Sequence, residues 1–79
     1  MEGFLGEIRM FPERYSPSEW AFCDGQTLEI VSHYALFNLL GNAFGGDGVR
    51  TFALPRLADP RPRVRYIICI EGMYPYPRR

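Results

Sequence analysis

Apolar and polar residues alternate where the chain begins. In "FLGEIRMF", Phe4, Gly6, Ile8 and Met10 share one parity, while Glu7 and Arg9 share the other. That period of two predicts a strand with unlike faces. Pro12 and "YSPSEW" break the pattern, and Pro17 favours an exposed turn. "WAFC" is a short apolar run that meets Asp24-Gly25. An Asp-Gly pair between apolar runs predicts a hairpin, with "QTLEI" as the return strand and Leu28 and Ile30 on one face.

The period then changes. "SHYALFNLLG" predicts the one helix: Leu36, Leu39 and Leu40 form an i, i+3, i+4 stripe, and Phe37 widens it. Ser32 is the expected N-cap and Gly41 the expected C-cap. "GGDG" at 45–48 reads as a flexible turn, "TFALPRL" as a short extended piece and "ADPRPR" as a proline-rich loop. "VRYIICIEG" is the last strand, and its unbroken apolar run implies burial on both faces. "MYPYPRR" is an extended tail with polyproline geometry. The expectation is a small α+β fold, with short strands and a hairpin around one short helix. Residues 1–79 form a single domain, with the core over 4–72 and the tail over 73–79.

Composition narrows the function. A chain of 79 residues builds a marginal core when it stands alone. Its 47% apolar content argues against disorder and leaves apolar surface for a partner. Net charge is zero, with nine arginines and no lysine, which argues against nucleic-acid binding. The arginines thicken late, at Arg56, Arg61, Arg63, Arg65, Arg78 and Arg79. No apolar run approaches the roughly 18 residues of a membrane span. The N-terminus carries Glu2 and Glu7 and lacks the basic start of a signal peptide. A protein made in a reducing cytoplasm is expected.

Candidate chemistry is sparse. Cys23 stands beside Asp24, and a carboxylate disfavours the thiolate that a nucleophile needs. Cys23 and Cys69 both lie in apolar segments and are expected to be buried and reduced. His33 is the one histidine, and a lone histidine holds a metal only if copies share a symmetry axis. "GGDG" is followed by Val49, Arg50 and Thr51, not by the Lys-Ser or Lys-Thr of a phosphate loop. The carboxylates are scattered, with no pair set to diverge in pKa. No enzyme activity, cofactor or metal is expected.

The order "FLGEIRMF", "WAFCDGQTL", "ALFNLLGNAFGGDG", "TFALPRL" and "YIICIEGMYP" resembles the phage tail collar domain family. That family includes the C-terminal part of short tail fibres of contractile-tailed phages and bacterial proteins labelled microcystin-dependent. The resemblance covers most of Phe4 to Pro75. It implies a non-catalytic scaffold in which Trp20, Phe22, Cys23 and Leu28 are core and Asp24-Gly25 is the turn. It also implies trimeric assembly and a place in the virion tail. In longer relatives a variable insertion precedes the final strand; here "LPRLADPRPRVRYII" is direct, so the scaffold is implied without the receptor-binding tip. Two readings stay open: a structural part joining a tail fibre or baseplate component to its neighbours, and an adhesin module for a host glycan. A bacterial cytoplasmic member of the family is a third.

For the structural reading, two segments are candidate docking surfaces. "RLADPRPRVR" sets Arg56, Arg61, Arg63 and Arg65 on a proline-stiffened backbone, and "MYPYPRR" adds Tyr74, Tyr76, Arg78 and Arg79. Tyrosine and arginine are frequent interface anchors. The alternative for both is a solvated loop and a frayed end.

Overall fold

The computed structural model describes residues 2–75; Tyr76, Arg78 and Arg79 of the expected docking tail lie outside them. Among the described residues, five strands and one helix follow in the order β1 (Ile8–Pro12), β2 (Trp20–Phe22), β3 (Thr27–Glu29), α1 (Tyr34–Leu40), β4 (Thr51–Ala53) and β5 (Val64–Cys69). The result is a small α+β domain. One antiparallel sheet has the order β1-β5-β2, and β3 and β4 form a separate antiparallel ribbon.

β5 is the central strand, and its unbroken apolar run is explained by that place. Ile67, Ile68 and Cys69 are fully buried. Alternate side chains leave a strand on opposite faces, so Ile68 enters one cluster with Leu5, Cys23, Ile30, Leu36, Phe52 and Leu54. Ile67 and Cys69 enter a smaller cluster with Trp20, flanked by Phe11 and Phe22. Burying a side chain such as Phe52 or Ile68 contributes about 2–3 kcal/mol.

The Asp-Gly hairpin expected from the sequence does not form. β2 pairs with β5 and β3 with β4, so the chain crosses between sheets at 23–26. A two-residue hairpin turn of this type needs positive φ at both central positions. Here Gly25 has φ 77° and Asp24 does not share it. Gln26 fixes the crossing instead: its Nε2 donates to the Phe22 carbonyl at 2.9 Å and its Oε1 accepts from the Asp24 N–H at 3.1 Å. The Gly25 N–H donates to the Pro55 carbonyl.

Other local expectations shift as well. Ile8 and Met10 lie on the side of the larger cluster, yet they are exposed, because β1 is an edge strand. Phe4 is exposed too, and Leu5 is the buried residue of that segment. The helix begins one residue late: His33 holds the N-cap position, without a side-chain cap, in place of Ser32. Leu36 is buried and Phe37 and Leu40 pack on the core, but Leu39 faces solvent. Gly41 ends the helix at φ 59°, its N–H donating to Phe37 at 2.7 Å.

The "GGDG" segment is fixed rather than flexible. Asp47 Oδ1 accepts from the N–H groups of Val49, Arg50 and Thr51 at 2.8, 2.8 and 2.9 Å. These three bonds, led by Thr51, hold the Asp47 carboxyl down at about 2. The start of the tail is also tied in. Met73 bridges Phe4 in parallel, and the Leu5 N–H donates to the Met73 carbonyl at 2.8 Å.

Candidate docking surface

The arginine loop runs from Arg56 to Arg65, and the structure gives its members different work. Arg56 bridges Asp24 through the backbone and covers Gly25, where an added Cβ would lie 3.2 Å from Arg56 Cβ. The next residue, Leu57, donates its N–H to the Cys23 carbonyl at 3.0 Å. Arg65 points back onto the domain. It is ion-paired with Asp24, stands 3.5 Å from Asp59, and lies over the Phe22 ring. The chain's own carboxylates already engage this cation, so it closes the loop.

Arg61 and Arg63 are different. Both are exposed at a turn closed by the Val64 N–H donating to the Arg61 carbonyl at 3.2 Å. Pro62 presets the second position of that turn, and Arg63 takes φ 66° at the third. The Arg63 carbonyl accepts from the Glu13 N–H at 3.1 Å, which ties the turn to the end of β1. Pro12, Glu13, Arg14 and Arg63 line a hollow there. Sequence reasoning missed Arg14 and the exposed Tyr15, whose ring meets Phe11 edge-on at 6.2 Å. Their signal was "ERYS" beside Pro12, and only the β1–β5 pairing joins it to the arginine loop.

Tyr74 is half-buried against the main core, on the stretch where Met73 pairs with Phe4. The structure therefore brings Arg63 together with Arg14, with Arg61 at the start of the same turn, and gives Arg65 and Tyr74 packed roles.

The chemistry elsewhere is that of packing. Both thiols are free and buried. Burial, reinforced by the Asp24 charge, pushes Cys23 up to about 11. Burial raises Cys69 also. Among the described residues, no three His, Cys, Asp or Glu side chains gather as a metal site. Among the described residues, His33 Nδ1 is buried without a hydrogen-bond partner. No helix among the described residues is long and apolar enough to cross a membrane.

Residues 6–60 match the family model of the Phage Tail Collar Domain, which is more than half of the 79 residues. The chain belongs to the phage tail collar domain family. No curated protein and no solved structure matches it significantly. The matched span runs from β1 through the helix, the Asp47 loop and β4 into the arginine loop, and stops before β5. A collar domain is a structural part of a phage tail, which makes other tail proteins its partners and the virion tail its place.

Proposed function

We propose that this collar domain joins a tail fibre or baseplate component to its neighbours as a non-enzymatic assembly domain, itself part of a homo-oligomer such as a trimer. The observation that supports this reading best is the family match over residues 6–60. The surface is consistent with it: Phe4, Met10, Tyr15 and Met73 offer exposed apolar area. Arg61 and Arg63 are the first docking residues. Arg56, Arg65 and Tyr74, and Tyr76, Arg78 and Arg79 outside the described residues, are the further partner-binding candidates. The test is incorporation. Particles assembled with an Arg61→Ala/Arg63→Ala chain should lack it although the purified variant folds. Normal copy number in the particle would refute these residues as the docking surface.

The adhesin reading has one observation in its favour. Val31, Tyr34 and Val49 are all strongly exposed and line one hollow with Glu29 and Arg50. An exposed tyrosine beside such a hollow suits stacking on a sugar ring. Binding of the purified chain to host cells, lost with Tyr34→Ala, would favour this reading over the first.

A further inference from the structure

Among the described residues, two that are not glycine adopt positive φ: Glu19 at 73° and Arg63 at 66°. They occupy equivalent places. Each is the third residue of a four-residue turn closed by one backbone bond. Trp20 N–H donates to the Pro17 carbonyl at 3.0 Å, and Val64 N–H to the Arg61 carbonyl at 3.2 Å. The second residues, Ser18 and Pro62, do not share the positive φ. Both turns therefore have the type II form, whose third position favours glycine because a Cβ crowds the backbone there. The chain instead carries a glutamate at one and an arginine at the other.

The strand register puts these turns at opposite ends of one sheet. Pro12 faces Val64 at the Arg63 end, while Ile8 faces Ile68 and Trp20 faces Cys69 at the Glu19 end. The ends have opposite charge. Arg14, Arg61 and Arg63 are exposed at the first, with Glu13 as the acid among them. At the second, Glu2, Glu19 and Glu71 line a hollow of about 270 Å³ with Gly3, Gly72 and Met73. Glu7 and Arg9 lie near that hollow and neutralise each other at 2.6 Å. Among the described residues no ion pair engages the side chains of the three arginines or the three glutamates.

We propose that the chain associates head to tail with further copies of itself, the Arg63 turn of one copy seating against the Glu19 hollow of the next. Strained backbone persists where a side chain is needed, and here the strained residues are one cation and one anion at opposite ends of the same sheet. Three unpaired guanidinium groups face three unpaired carboxylates across such a contact, and arginine–carboxylate pairs are the stronger class of hydrogen bond. A net charge of zero leaves no overall repulsion between copies. A head-to-tail contact uses two different surfaces, so it closes into a ring or grows into a filament. The inference rests on the assembly reading above and names a second copy as one of the neighbours.

Glycine substitution separates this role from a structural one. Arg63→Gly and Glu19→Gly each relieve the turn and should raise Tm by about 3 °C. In sedimentation velocity across a concentration series of the full chain, each should weaken self-association at least about tenfold. An equal mixture of the two should give dimers and nothing larger, because one intact basic turn meets one intact acidic hollow. Arg63→Gln, which keeps the side-chain bulk, should show the same loss. Wild-type assembly should also weaken as salt is raised. Unchanged self-association in either glycine variant overturns the proposal. So does a wild-type chain that stays monomeric throughout. If that monomer still enters particles and Arg63→Gly does not, the basic turn serves a different tail protein, and the assembly reading survives without self-association.

Discussion

The guanidinium of Arg65 lies over the ring of Phe22, 4.1 Å from its centre, while the same group is ion-paired with Asp24 and stands 3.5 Å from Asp59. One side chain thereby fastens the loop before β5 to the crossing after β2. A cation over an aromatic ring contributes about 0.5–1 kcal/mol. Asp24 and Asp59 are half exposed, so solvent screens those pairs to less than about 1 kcal/mol each.

Arg65→Ala should therefore cost about 1–2 kcal/mol in urea unfolding. Arg65→Lys keeps the charge but loses the planar stack, so it should recover only part of that loss. An Arg65→Ala chain as stable as wild type would mean that the loop is held elsewhere.

What the sequence revealed divides by the range of the interactions. β5, α1 and the burial of both cysteines were legible because each follows from a local apolar pattern. The Asp24-Gly25 hairpin was not, since the decision lies with partners far along the chain. Ile67 and Cys69 claim β2, and Phe52 claims β3. Leu39 fits the helical stripe and still faces solvent, because nothing in the helix itself shows how wide its covering partner is. Within the candidate surface, Arg61 and Arg63 were legible from composition. Arg14 joins them only through β1–β5 pairing, and the acidic end comes together from residues 2, 19 and 71.

Gly46 should be the least tolerant glycine in the Asp47 loop. It has φ 87°, and an added Cβ would meet Phe52 Cα and sit 2.7 Å from the Phe52 nitrogen. Phe52 is fully buried and its backbone cannot retreat. Gly46→Ala should cost more than about 3 kcal/mol, the range that marks a specific steric failure. Gly41 is the control: it also has positive φ, but open space surrounds the Cβ position. Gly41→Ala should cost about 1–3 kcal/mol, from backbone conformation alone, because φ 59° with ψ −151° is a region essentially confined to glycine. Equal losses in chemical unfolding would show that φ, not the contact with Phe52, limits both positions.

Both thiols should resist modification in the folded chain. Cys23 titrates near 11, so at pH 8 about one molecule in a thousand carries its thiolate. Cys69 has no exposed surface, and its Sγ donates to the Glu71 carbonyl at 3.3 Å. Maleimide labelling should stay slow at neutral pH and become rapid in denaturant. Fast labelling of one site without denaturant would show that its cluster opens independently of the rest.

Asp47 should make the domain acid-sensitive in a defined window. Its folded value of about 2 lies below the ordinary 3.8 because three backbone N–H groups bond to the ionised carboxylate. A depressed acid stabilises the fold above its unfolded value and loses that contribution as pH falls. Stability from Asp47 is thus fully present above about pH 4 to 5 and decays towards pH 2. Asp47→Asn keeps an acceptor oxygen for the same N–H groups but removes the titration. Its Tm should be lower than wild type at pH 7, and the two should converge as the pH approaches 2. The carboxyl is exposed to solvent, so the pH-dependent gap should be modest, but its direction is fixed by the three bonds. A gap that widens on acidification would mean that the loop is held by something other than the charged form of Asp47.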